Sequence, residues 1–244
     1  RLPRPEFEQV GAVFADSEVR HAAAYSRILD VLGLNGAFAT VADVPAIGGR
    51  IGYLSRAMKA GQASERGFAA SLAVFAILVE NVSLFSQFVV IKSFSRKKGI
   101  LQNIDNIIQA TQKEEEVHAM FGVWLINLIR SERPDWFGAS FYDGLRETCL
   151  EAFAAENAIL DWIFEDGDTA TVSRHGLTEF LKDRINQGVT LIGGEPVFKI
   201  DASALAETDW FRDELSAPID VDFFHKRSTS YGGGDHAATV DNMW

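Results

Sequence analysis

The chain is poor in cysteine, proline, positive charge and long apolar runs, and each shortage excludes something. One residue in 244 is cysteine, Cys149. It cannot form an internal disulfide or a cysteine-rich metal site, so a reducing, cytoplasmic setting is the simplest expectation, with Cys149 itself read as a small buried hydrophobe. Lys and Arg number 23 against 34 Asp and Glu, a net charge of -11. So acidic a surface repels a polynucleotide backbone, and nucleic acid is not an expected partner. No apolar run reaches the roughly 18 residues that span a bilayer. The opening Arg1-Leu2-Pro3-Arg4-Pro5 lacks the apolar stretch of a signal peptide, so no membrane association is expected. The first residue is not Met, and the chain reads as a cut or partly observed piece of something longer.

What is present is helical periodicity, in a chain 47% hydrophobic and 23% charged that is long enough to bury a sizeable core. Residues 7–32 mix apolar and charged positions at helical spacing up to Gly33. A shorter helix fits 46–60 after Pro45. Residues 64–94 lack proline and are apolar on nearly every face around Ser71 to Ile91, which predicts one long helix at the centre of a bundle. The run Ser95-Arg96-Lys97-Lys98-Gly99 breaks it as a solvated helix end. Further helices are read at 100–130, 138–166 and 172–191. No alternating strand pair with a hairpin turn stands out, so the class is all-α. A helical domain over 1–200 and a C-terminal segment with a flexible tail over 201–244 are expected. The composition shifts after Gly193-Gly194-Glu195-Pro196, and Ser228-Thr229-Ser230-Tyr231-Gly232-Gly233-Gly234 is too glycine-rich to pack.

Of the five histidines, His21 and His118 stand three residues after a glutamate on a long predicted helix. Glu18-Val19-Arg20-His21 and Glu115-Glu116-Val117-His118 each put a carboxylate and an imidazole one turn apart on one helix side, able to chelate one ion. A single such pair is a weak signal. Two on separate helices match bundle proteins that hold two metals with this pair used twice, plus a carboxylate from each of two further helices. Glu80 supplies one of these, because a charge among Ile77, Leu78, Val79, Val82, Leu84 and Phe85 is costly unless it is paired or bound to metal. A buried salt bridge is its plainer explanation. The remaining carboxylate should precede Glu18. Glu6, Glu8 and Asp16 sit on or just before the helix of Glu18, so the first ligand helix is inferred to lie upstream of residue 1.

Taken in order, these motifs resemble the small, radical-generating subunit of class I ribonucleotide reductase, of the ferritin-like di-metal carboxylate superfamily. The likeness runs through Glu18-Val19-Arg20-His21-Ala22-Ala23-Ala24-Tyr25-Ser26, Glu80-Asn81 with Leu84-Phe85-Ser86, and Glu114-Glu115-Glu116-Val117-His118. It continues in Ala154-Ala155-Glu156, Asp161-Trp162-Ile163-Phe164, Arg184-Ile185-Asn186 and Leu191-Ile192-Gly193. The resemblance implies a ferritin-like bundle and a stable tyrosyl radical on Tyr25, four residues after the first histidine. It also implies a relay tyrosine after a serine-rich run, which Tyr231 matches, and a docking peptide beyond it at 235–244. Without the resemblance, Tyr25 reads chiefly as core packing and the tail as a segment with no task. Two departures stand: the family's first carboxylate and its radical-path tryptophan have no counterpart here, and Glu114 replaces a frequent Asp. Glu114 would orient a ligand histidine or simply be solvated.

Glu and His donors with open positions suit two irons, two manganese ions or a mixed pair rather than closed structural zinc. By resemblance, the metals would react with dioxygen and oxidise Tyr25, with Phe85 and Phe88 either shielding the radical or simply filling the core. Nucleotide reduction needs several cysteines, which the family keeps in a separate large subunit, in accord with the lone Cys149. The expected assembly is a homodimer that joins the large subunit through the C-terminal tail. Two other readings are open to the same bundle: a di-metal oxidase acting on a bound organic ligand, which needs a cavity reaching the metals, and a metal-storage shell, which needs a cage-sized particle.

Overall fold

The computed structural model describes residues 4–216, and every regular element among them is helical. The α-helices are α1 Pro5–Leu32, α2 Asn35–Ala39, α3 Pro45–Ala63, α4 Glu65–Val74, α5 Phe85–Lys98, α6 Gln102–Glu132, α7 Ala139–Ile163, α8 Arg174–Leu191, α9 Ala202–Leu205 and α10 Asp209–Ser216. The all-α bundle is therefore as the sequence indicates. Tyr231, the glycine run and 235–244 lie outside the described residues.

Local chemistry sets the helix ends. Pro5 and Pro45 stand in the first turns of α1 and α3, where a missing N–H leaves no hydrogen bond unmade. Gly33 and Gly99 close α1 and α5 at φ 70° and 67°, left-handed conformations that favour glycine.

The α4–α5 region runs through the middle and touches α3, α6, α7 and α8. Its Ala73, Ile77, Leu78, Val82, Phe85 and Val89 are at most 1% exposed. Here the structure corrects the unbroken helix expected at 64–94. After α4 the backbone widens into a π-helical turn at Phe75–Val79, and residues 80–84 form further turns before α5 begins. The N–H groups of Glu80 and Ser83 each donate five residues back, to the carbonyls of Phe75 and Leu78, both at 3.0 Å. The neighbours pack closely at the break. A Cβ on Gly122 of α6 would stand 2.5 Å from Ala76 Cβ, and one on Gly188 of α8 would stand 2.6 Å from Ile77 Cγ2. Two helices thus close on the widened turn, and the Ser83 hydroxyl adds a bond to Leu78 O at 2.9 Å. An extra residue per turn rotates everything that follows, Glu80 first.

Elsewhere the bundle is fastened by buried charge. Glu156 of α7, 0% exposed, takes Nε and Nη2 of Arg50 on α3 at 2.8 and 2.6 Å. Lys92 of α5, 2% exposed, pairs with Asp105 of α6 and, at 2.7 Å, with Glu214 of α10. Leu205, Phe211 and Leu215 carry α9 and α10 into the same core. Helix α1 lies along α6, with Ser17 and His21 buried and Val13 and Val19 exposed. No helix among the described residues is long and apolar enough to cross a membrane.

Candidate metal centre

Helices α1 and α6 each present a glutamate and a histidine one turn apart, and the widened turn after α4 delivers Glu80 to the same place. The structure thus brings together all five residues singled out for metal in the sequence. Ligand atoms of Glu18, Glu80, Glu115 and His118 lie within 4.8 Å of one another, and His21 adjoins them through Nδ1, 3.1 Å from Glu115 Oε1 and 3.6 Å from Glu18 Oε2. His118 Nδ1 is 3.3 Å from Glu18 Oε1, 3.5 Å from Glu115 Oε2 and 3.4 Å from Glu80 Oε2.

Glu18 and Glu115 therefore each turn one oxygen to each imidazole, so that each would serve an ion held at either histidine. Glu80 belongs to the His118 position alone. The His21 position has no carboxylate of its own within this group.

A metal pair fits these donors. Nδ1 of His21 and Nδ1 of His118 are both buried without a hydrogen-bond partner, although carboxylate oxygens face them at close range. Two donor atoms each about 2.1 Å from one ion stand about 3.0–3.4 Å apart at right-angled to tetrahedral geometry, close to the separations seen here. Without an ion the site holds protons instead. Burial lowers the His118 pKa, but Glu115 and Glu80 outweigh it and push it up to about 9. Burial raises Glu115, as does the neighbouring carboxylate of Glu80.

Surrounding contacts fix the imidazoles. Glu114 Oε2 lies 2.9 Å from His21 Nε2, which donates to it and leaves Nδ1 free for a metal. Burial would raise the Glu114 carboxyl, yet Ser17, His21 and Arg20 hold it below its ordinary value. Glu114 thus contacts the ligand histidine while its side chain stays part exposed, 41% accessible to solvent. The His118 ring lies against Phe14 with centroids 3.9 Å apart. Glu115, His118 and His21 are 7, 4 and 7% exposed, whereas the Glu18 side chain is half exposed, so the site is most open on the α1 side.

Tyr25 stands one turn beyond His21 on α1, with its hydroxyl buried and unpartnered. Burial raises its pKa, Thr111 partly offsets this, and the charges of Glu115 and Glu18 add to it. The phenol is thus held protonated near neutrality. Phe85 and Phe88 pack together deep in the core, their centroids 5.6 Å apart.

The family model described as "Ribonucleotide reductase, small chain" matches residues 1–204. A curated relative from Invertebrate iridescent virus 3, described as a "Probable ribonucleoside-diphosphate reductase small subunit 048L", is 23% identical over 164 residues, 67% of this chain and 43% of the relative. The chain thus spans less than half of that relative's length. A crystal structure from Bacillus halodurans, described as a "putative class I ribonucleotide reductase", superposes with a TM-score of 0.78 at 14% identity, covering 87% of this chain and 76% of the other. That likeness shows a shared fold.

Proposed function

Because the chain belongs to the ribonucleotide reductase small-chain family, we propose that it is the radical-generating small subunit of a ribonucleoside-diphosphate reductase, an oxidoreductase active only with a separate large subunit. The observation that carries the reading is the pair of buried, unpartnered Nδ1 atoms with Glu18 and Glu115 spread across both.

His21 and His118 would each hold one ion, Glu18 and Glu115 both, and Glu80 the one beside His118. The remaining carboxylate would come from a segment preceding Glu18. Two irons, two manganese ions or one of each would supply reaction with dioxygen and the one-electron oxidising power that Tyr25 requires.

The chain's own groups do the rest. Glu114 keeps the His21 proton on Nε2. Tyr25 enters as a neutral phenol, because burial and the nearby carboxylates oppose its ionisation, so it must give up a proton together with its electron. Cys149 takes no part, since burial pushes its thiol up to about 12. The cysteines that reduce a ribonucleotide therefore belong to the large subunit. Tyr231 relays the radical to it, residues 235–244 dock on it, and the small subunit acts as a homodimer.

The test is aerobic reconstitution of the full-length protein with iron or manganese, followed by metal analysis and electron paramagnetic resonance. A tyrosyl signal is expected, and Tyr25→Phe should remove it with metal content unchanged. Tyr231→Phe should abolish nucleotide reduction while sparing the Tyr25 radical, and deletion of 235–244 should weaken association with the large subunit. A protein that binds metal yet yields neither an organic radical nor turnover with a large subunit would sink the proposal.

A further inference from the structure

We propose that Arg184 of α8 is a positioning residue for Glu80, aiming that carboxylate at the His118 metal position by locking the widened turn from which it projects. The inference rests on the metal-centre reading above. Helix α8 contributes no residue to the metal group itself.

Glu80 does not sit on a regular helix. It follows the π turn, and its direction depends on how residues 80–84 are held. Arg184 reaches that run by three contacts. Its Nε–H donates to Asn81 O at 2.7 Å. Its own carbonyl accepts from Asn81 Nδ2 at 3.0 Å. Its guanidinium lies over the Phe85 ring, 4.0 Å from the centroid. Asn81 is thus gripped at both its backbone and its side chain, one residue after Glu80, and Phe85 is the first residue of α5.

Glu116 and Asp183 offset part of the cost of burying the Arg184 charge, and packing alone does not account for the rest. Arg184 is 6% exposed, and its Nη2 is buried with no hydrogen-bond partner. A guanidinium under those conditions bears a desolvation penalty that an apolar side chain of like volume would avoid. Close approach completes the clamp, since a Cβ on Gly188, one turn along α8, would meet Ile77 Cγ2 at 2.6 Å and Asn81 Nδ2 at 3.3 Å. Thus α8 holds the chain on both sides of Glu80, through Ile77 before it and through Asn81 and Phe85 after it.

The experiment is Mn(II) binding to the full chain, read by the resonance of free Mn(II), for wild type, Arg184→Met, Glu80→Gln and the double variant, with thermal melts of each metal-free protein. Arg184→Met keeps the bulk and removes the N–H donor. It should weaken the His118-side position about 10–100-fold, the usual effect of losing a partner that orients a ligand. Arg184→Lys, which keeps a donor, should recover part of the loss. In the Glu80→Gln background, Arg184→Met should cause no further loss, because the two substitutions then remove one interaction chain. Unchanged affinity, or a full additional loss in that background, would overturn the proposal. If Arg184→Met does not fold, Asn81→Ala removes one of the two Asn81–Arg184 hydrogen bonds and should show the same non-additivity with Glu80→Gln, at smaller size. Absence of Mn(II) binding by the wild type would instead overturn the metal-centre reading itself, and this proposal with it.

Discussion

Glu114 accepts the Nε2 proton of His21 at 2.9 Å, while the other nitrogen of the same ring faces Glu115 at 3.1 Å. One imidazole is thereby held between two consecutive residues of α6, the first against Nε2 and the second against the Nδ1 left free for a metal. Glu114→Ala should lower metal affinity at the His21 position about 10–100-fold. Glu114→Gln, which still offers an oxygen acceptor, should lose less. Metal titration of both variants checks this, and equal affinities for wild type and Glu114→Ala would refute it.

Glu115 and Glu80 should differ in how many ions their loss releases. Glu115 faces both imidazoles and Glu80 only one. Glu115→Ala should weaken both metal positions, and Glu80→Ala should spare the one beside His21. Metal-to-protein ratios after exhaustive dialysis read the difference. Identical ratios for the two variants would contradict the shared-carboxylate geometry.

The metal-free site should be pH-sensitive in a direction set by His118. Its folded pKa of about 9 lies above the ordinary 6.5. The protonated imidazole therefore contributes stability fully below about pH 6.5 and loses it as pH rises through about 9. An ion must displace that proton, so apparent affinity should climb with pH, by up to about tenfold per unit, and level off near 9. Titrations at several pH values, with proton release recorded, test it. Affinity independent of pH between 6.5 and 9 would contradict the assignment.

Arg50→Ala should be strongly destabilising without touching the metal group. It would leave the fully buried Glu156 without its bidentate partner, a loss worth about 3–5 kcal/mol in comparable buried pairs. Chemical denaturation of the metal-free protein measures it, and a change below about 1 kcal/mol would show that water replaces the guanidinium.

Gly188→Val tests the close approach of α8 to the π turn. Its first side-chain atom would fall 2.6 Å from Ile77 Cγ2. A destabilisation of about 1–3 kcal/mol is expected from overpacking, together with weaker metal binding at the Glu80 position. A variant as stable as wild type would mean that α8 shifts freely at that point.

The sequence by itself determined the helices and most of the metal group. Proline starts, glycine stops and the 3.6-residue period are local properties. The Glu18–His21 and Glu115–His118 pairs need only one helical turn to face the same way. Glu80 betrayed itself as a carboxylate stranded among apolar residues. The direction in which Glu80 points was a tertiary decision. Its apolar run reads as continuous helix, and the run breaks where Gly122 and Gly188, on helices distant in sequence, let two backbones approach Ala76 and Ile77. The roles of Glu114 and Arg184 were decided in the same way. Charge on a helix is ambiguous until the fold shows what it faces, and it was packing that set Glu114 against the far edge of His21 and buried Arg184 against Asn81.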